Sequence, residues 1–264
     1  MRKHQTSHKI RGIDILFEDE CLIVVNKDCG ILTEETRRHE PFTAENAINT
    51  YIRKGQLRSS KHVFLVHRLD RETSGVLIFA KDELTREKLQ AVWHEKVEKT
   101  YLAALWGTPS PEKGSLTGYL YEDKNLFVRQ VPSADSPLRN PSLGTVAPKF
   151  AKTDYEVIAE HRGLSLVKVH LCTGRRNQIR VQFACAGHPI VGDDKYGQSM
   201  RPFKDRLCLH ALSISFPHPK TGKQIFIETP VPPVFPRLFS SLKPSGNTPC
   251  TPTHPSSPIS KNQA

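Results

Sequence analysis

The pattern of apolar residues predicts an α+β fold, a mixed sheet with a few helices laid against it. Two observations carry this. Short β-branched runs outnumber the stretches with helical spacing, and the helical stretches lie between groups of strands. The second observation excludes the regular strand–helix alternation of a doubly wound fold. No internal repeat is visible.

The elements follow in order. "IDILFED" (13–19) and "CLIVVNKD" (21–28) are short apolar runs parted by acidic turn residues and read as paired strands. "TAENAINTYIRK" places Ala44, Ala47, Ile48, Tyr51 and Ile52 at helical spacing, with Thr43 as N-cap. "HVFLV" and "GVLIFAK" read as two buried strands, joined by the loop "HRLDRETS" (67–74). "DELTREKLQAVWHEK" reads as a helix capped by Asp82, with Leu89, Val92 and Trp93 on one face. "KTYLAALWG" returns as a strand. From about 107 to 150 the chain is rich in Pro, Gly and Ser, which predicts short hairpins and loops, and "APKFAKTDYEVIAE" restores a strand pattern. "LSLVKVHL" alternates, with Val167, Val169 and Leu171 on one face and Lys168 and His170 on the other. "RRNQIRVQFACAG" has helical spacing at Ile179, Phe183 and Ala186 and ends on Gly187. "RLCLHALSISF" and "KQIFIETPV" are strands joined through the hairpin-like "PHPKTG".

The apolar share of 37% can bury a core over most of the 264 residues. Two ends are set apart: residues 1–12 as a flexible N-terminus, and 241–264 as a disordered tail with five Pro, eight Ser or Thr and no acid. Residues 13–240 form the folded unit. The net charge of +11 points first to nucleic acid as a partner and second to an anionic membrane surface. No apolar run approaches the roughly 18 residues of a membrane helix, and the first residues, "MRKHQTSHKI", do not form a secretory signal. The six cysteines have no CxxC spacing and read as small buried hydrophobes of a reducing compartment, neither a disulfide frame nor a zinc site. A cytoplasmic protein is the default expectation.

Within the loop "VHRLDRETSG", Asp70 stands between Arg68 and Arg71. Flanking arginines favour the ionised form of a carboxylate and offset the repulsion that an RNA backbone would feel. Such a carboxylate can be a nucleophile, a general base or a partner that orients a guanidinium; an ordinary loop ion pair is the structural alternative. A second segment, "TGRRNQIRVQFACAGHPIVGDDKYG" (173–197), carries Arg175, Arg176 and Arg180 on and before a short helix. Arg176 and Arg180 are four apart, which on a helix places them on one face. An arginine from here could reach the carboxylate of the first loop. His67 and His210 lie among apolar residues and read as packed and hydrogen-bonded. Lys27 reads either as a substrate contact or as a solvated lysine. Asp193 and Asp194, with Tyr196, shape a turn; a metal site would need more ligands.

Together these segments resemble the RluA-type pseudouridine synthases. "HRLDRETSG" is similar to that family's signature loop, and "TGRRNQIRV…GHPIVGDDKYG" to its "GRTHQIRVHL…GHPILGD…YG" block. "EKTYLAALWG" resembles its "KxYxAxVxG" strand, and further blocks match in order over roughly residues 13 to 236. The resemblance implies the pseudouridine synthase fold: a mixed, largely antiparallel bent sheet with flanking helices and a central active-site cleft. It implies isomerisation of uridine to pseudouridine within RNA, ribosomal or transfer, without a metal or organic cofactor and with the target base flipped into the pocket. A monomer is the family-like expectation. Asp70 matches the essential aspartate, Arg180 the arginine that pairs with it and aims it, and Tyr101 the active-site tyrosine, a candidate general base or stacking surface. Arg68 matches the arginine that fills the space left by the flipped base. Arg71, Arg175 and Arg176 join Arg68 as candidate RNA contacts. The chain departs from the pattern at Asn177 and Gln182, where the family usually has histidines, and in "KDCG" where it has "KPxG".

Two other readings stand beside this one. A non-catalytic RNA-binding protein would keep the fold and the basic cleft. An unrelated hydrolase using Asp70 would need a second acid or a metal cluster in the same cleft.

Overall fold

A computed structural model of the protein describes residues 10–35, 42–54, 56, 58–134, 147–197, 203 and 205–239. The expected tail, 241–264, lies outside the described residues, as do residues 1–9.

One large sheet organises the chain, and it is mixed, as expected. Its strands are β1 (Ile13–Glu18), β2 (Leu22–Lys27), β3 (Phe64–Leu65), β4 (Ser74–Ala80), β5 (Glu98–Trp106), β6 (Lys113–Glu122), β7 (Val128–Val131), β8 (Lys149–His161), β9 (Leu164–Leu171), β10 (Leu209–Pro217) and β11 (Gln224–Glu228). The order across the sheet is β1-β2-β4-β10-β5-β9-β8-β6-β7, with β3 against β4 and β11 against β10. Every pairing is antiparallel except that of β4 with β10. The helices are α1 (Ala44–Arg53), α2 (Glu83–Ala91), α3 (Gln178–Cys185) and α4 (Val234–Leu238).

The central strands are buried on both faces, so they read as continuous apolar runs rather than as alternation. Along β2 and β4, Ile23, Val25, Leu77 and Phe79 enter one core, with Ala44 and Ile48 of α1. Leu22, Val24, Val76 and Ile78 enter a second core on the other face, with Leu89 of α2. Thr43 caps α1 through the Asn46 amide, and Asp82 caps α2 through the Thr85 amide, as their side chains predict. Helix α2 ends at Ala91, so Val92 and Trp93 lie in the turn beyond it. The Pro/Gly/Ser-rich region holds a longer hairpin than its composition suggests, β6–β7, on which Val181 of α3 packs.

Three expectations are corrected. Helix α3 starts at Gln178, because Asn177 adopts a left-handed backbone (φ 51°). Arg176 therefore precedes the helix and shares no helical face with Arg180. Cys172 and Cys185 are exposed rather than buried. Lys27 is neither solvated nor a substrate contact. It is fully buried, and its ammonium donates to the carbonyls of Asp28, Ile31 and Arg71 at 3.0, 2.8 and 3.2 Å.

The β4–β10 contact needs Gly75, whose φ is +117° and whose missing Cβ would lie 2.1 Å from the Ala211 carbonyl oxygen. Beside it runs a directed chain of hydrogen bonds. Arg206 donates to Ser74 Oγ (2.6 Å), which donates to His210 Nδ1 (2.7 Å); His210 Nε2 donates to Thr229 Oγ1 (2.7 Å). The imidazole is thereby fixed as neutral, and burial, followed by the charge of Arg206, pulls its pKa down to about 3 from an ordinary 6.5. As pH falls below 6.5 the unfolded chain takes this proton and the folded chain does not. Stability present above that pH is therefore lost toward pH 3, at up to about 1.4 kcal/mol per pH unit. Urea unfolding between pH 7 and pH 4 should show His210→Gln with a flatter profile than the wild type; parallel profiles would exclude this role for His210.

Candidate active site

The Asp70 loop is held from below on both sides of the carboxylate. Thr33 Oγ1 donates to the Leu69 carbonyl (2.8 Å) and accepts from the Leu69 amide (3.2 Å). On the other side the Arg71 carbonyl accepts from Lys27 Nζ and from the Gly30 amide. The Asp70 amide-to-side-chain segment has little freedom, and its carboxylate projects into a cleft of about 460 Å³. Tyr101, Asn177 and Arg180 line the same cleft. A second lobe of about 380 Å³ opens beyond Asp70, toward Thr33, Glu72 and Lys195.

Arg180 comes from the first turn of α3 and is 8% exposed. Its strongest partner is Asp193, bound through Nε and Nη2 at 2.8 Å each. Nη1 is directed at Asp70 Oδ2, 3.5 Å away. Burial disfavours the charged guanidinium, but the hydrogen bonds and charge of Asp193, with Asp70 behind them, outweigh it and raise Arg180 above the ordinary arginine value. Asp193, read from the sequence as a turn residue, is also an acceptor for the amides of Lys195 and Tyr196 at 3.0 Å each. The turn "GDDKYG" thus folds around the carboxylate that holds Arg180. Gly192 permits this: its φ is +77°, and a Cβ would meet the Arg206 carbonyl oxygen at 2.1 Å. The Tyr196 ring lies under the Arg180 guanidinium at 5.4 Å.

Asn177 joins these groups. With its amide oxygen accepting from the Tyr196 hydroxyl at 3.1 Å, its nitrogen donates to Asp70 Oδ2 at 2.6 Å and Oδ1 at 3.2 Å. Gln182, the other departure from the family pattern, faces the sheet. It accepts from Thr153 Oγ1 (2.6 Å) and donates to the carbonyls of Leu116 (3.1 Å) and Ala151 (3.3 Å). Tyr101 is buried in β5, and burial, with the charge of Asp70, pushes its phenol well above the ordinary tyrosine value.

The flanking arginines rim the cleft. Arg68 pairs with Glu34, Arg176 pairs with Glu122 at 2.6 Å, Arg175 Nε donates to the Phe150 carbonyl, and Arg71 Nε donates to the Gly30 carbonyl. Asp193, Tyr196 and Asn177 were not assigned to the site by sequence. The signal was the recurrence of acid and tyrosine in "GDDKYG", whose meaning depends on the fold bringing it under α3.

Among the described residues, one cluster outside the cleft has metal-ligand residue types: Asp19, Cys21 and His218. Here His218 Nδ1 accepts from the amides of Lys220 and Thr221, so its proton sits on Nε2 and is donated to Asp19 Oδ2 at 2.6 Å. A metal at Nε2 would have to displace that proton and leave an imidazolate. Burial, followed by the charge of Asp19, pushes the Cys21 thiol up to about 11, away from the thiolate a metal requires. The trio fastens the β1–β2 turn to the β10–β11 turn. A groove of about 1200 Å³ beside α1 has its acids paired, Glu18 with Lys81 and Tyr51, and Glu20 with Lys220.

With the geometry in place, similarity to known proteins identifies the chain. A family model described as RNA pseudouridylate synthase matches residues 21–185. The chain is 36% identical over 238 residues to ribosomal large subunit pseudouridine synthase C of Pasteurella multocida, covering 87% of this chain and 68% of the relative. It is 31% identical over 245 residues to ribosomal large subunit pseudouridine synthase D of Zymomonas mobilis, covering 87% and 73%. In fold it is similar to human RNA pseudouridylate synthase domain containing 4, with a TM-score of 0.67 at 24% identity over 84% of this chain and 89% of that one. The matched model spans more than half of the sequence, and the chain belongs to the RNA pseudouridylate synthase family, isomerases that convert uridine within RNA to pseudouridine.

Proposed function

We propose that this chain isomerises specific uridines in ribosomal RNA, with transfer RNA as the second substrate class, and that Asp70 is the essential carboxylate. The relatives named for the large ribosomal subunit support the first class. The observation that carries the assignment of Asp70 is its carboxylate, set between Arg180 Nη1 and the Asn177 amide in a cleft shared with Tyr101. In the reaction the C1′–N1 bond breaks, the uracil turns, and a C1′–C5 bond forms. The proton leaves C5 and N1 gains one, so the change is an isomerisation. Asp70 attacks the sugar or base, or stabilises a glycal intermediate. Tyr101 offers its ring as a surface beneath the uracil; its raised pKa disfavours the phenolate that a ground-state base would need. Arg68, Arg71, Arg175 and Arg176 meet the RNA backbone at the rim, and Arg68 occupies the space the flipped base leaves. Residues 13–240 form the catalytic unit, acting as a monomer in the cytoplasm. Among the described residues no helix is long and apolar enough to cross a membrane.

A pseudouridine map of total RNA tests the reading directly. Sites that vanish on deletion should return with the wild type and not with Asp70→Asn. If no site changes, the non-catalytic RNA-binding reading takes its place.

Two further outcomes separate the supports of Asp70. Arg180→Met should abolish tritium release from 5-³H-uridine RNA and should also cost about 3–5 kcal/mol of stability, because Asp193 is left buried and uncompensated. Adding Asp193→Leu should recover part of that stability and none of the turnover. Wild-type turnover in the double variant would exclude Arg180 from catalysis. Asn177→Ala removes a hydrogen bond to a charged group, valued at about 1.5–3 kcal/mol, and should lower kcat roughly 10- to 100-fold. Because Asn177 has φ 51°, the alanine is also strained and the unfolding midpoint should fall; a wild-type kcat would exclude this role for Asn177.

A further inference from the structure

We propose that Lys99, in the cleft floor beyond Tyr101, is a phosphate-binding subsite for the RNA backbone next to the reacting uridine. The proposal rests on the isomerase reading above.

Lys99 and Tyr101 are two residues apart on β5, so they share a face of the sheet, roughly 7 Å apart along the strand. Both line the cleft that holds Asp70. Lys99 is 7% exposed. Its ammonium lies over the Trp93 ring at 5.6 Å, and among the described residues it makes no hydrogen bond and no ion pair.

The contrast with Lys27 is informative. Lys27 is also buried, and its three donors are matched by three backbone carbonyls. The rim arginines Arg68 and Arg176 likewise have carboxylate partners. The Lys99 side chain is largely buried with an aromatic face beside its ammonium, and a cation in that setting favours an anion as its partner.

Asp70 does not supply that anion. Its ion pair is with Arg180 and its amide donor is Asn177, and among the described residues no ion pair joins it to Lys99. What moves the Lys99 pKa is burial, which lowers it, and the charge of Cys172, which opposes this; Asp70 is not among the causes. His67, stacked on the same Trp93 ring, is held neutral, with burial and then the Lys99 charge taking its pKa to about 3. It therefore neither competes with Lys99 nor neutralises it. The neighbouring Gln90, His94 and Leu171 bring no negative charge. The anion that fits this position is one the substrate brings. A nucleotide seated between Asp70 and Tyr101 carries its phosphodiester chain along the floor of the cleft, where an ammonium acts as a point charge without demanding a bidentate geometry.

The test uses the full chain with Lys99→Met, Lys99→Gln and Lys99→Arg. The probe is unmodified large-subunit ribosomal RNA made by transcription. Binding is measured between about 50 and 200 mM KCl, and turnover by tritium release. Loss of one phosphate contact should reduce the slope of log K against log salt by about 0.7–0.9. Lys99→Met and Lys99→Gln should show this reduction, with the loss falling mainly on KM rather than kcat, and Lys99→Arg should restore the wild-type slope. An unchanged slope in whichever of the Met and Gln variants keeps the wild-type unfolding midpoint would overturn the proposal. So would a loss confined to kcat, which would place Lys99 at the reacting atoms. The wild type separates the two readings: if it releases no tritium from any RNA, the isomerase assignment fails, while the salt slopes still judge Lys99.

Discussion

The site depends on the buried pair of Arg180 and Asp193. A buried ion pair is stable only when every remaining donor and acceptor is used, because desolvating two charges costs several kcal/mol each. Asp193 meets this condition with two bonds to Arg180 and two to backbone amides. The same bonds fold the turn after α3 and stiffen the guanidinium. With Nε and Nη2 occupied, Nη1 is aimed at Asp70. The 3.5 Å gap means that Arg180 guides Asp70 rather than capturing it, so the carboxylate stays available to a substrate.

Around this pair the chain spends its buried polar groups on fixing loops. Lys27 and Thr33 secure the backbone on either side of Asp70, and Gln178 and Gln182 tie α3 to β8 through Thr153. The helix is buried on almost every side along its first six residues. Its apolar positions Ile179 and Phe183 enter the main core, and Val181 enters the small core under the β6–β7 hairpin. A helix held from both sides cannot rotate, which keeps Arg180 and Asn177 in register with a loop 110 residues away in sequence.

Much of this was legible in the sequence, for physical reasons that differ by element. The caps Thr43 and Asp82, the alternation of β9 and the continuous apolar runs of β2 and β4 are local signals, so they read correctly. The Asp70–Arg180 pair was legible only through the family blocks that place the two segments together. Lys27, Asp193 and Asn177 were misread or left open for a common reason. A buried lysine or aspartate looks like a solvated one until the fold shows which carbonyls and amides surround it. The start of α3 slipped because Asn177 gives up helical geometry to place its amide between Tyr196 and Asp70.

Asn177 also shows how a departure from a family pattern can still supply a donor to the carboxylate. An asparagine amide donates to a carboxylate at every pH, whereas a histidine in its place would change charge near neutrality. Asp70 thus receives one donor from a guanidinium raised above its ordinary range and one from an amide that does not titrate. Neither support changes its charge across the physiological range. Two groups of the cleft that are shifted by burial, Tyr101 upward and His67 downward, are held neutral by it. The centre of the cleft therefore presents one carboxylate held in place by two unchanging donors, with neutral ring surfaces beside it and arginines at its rim.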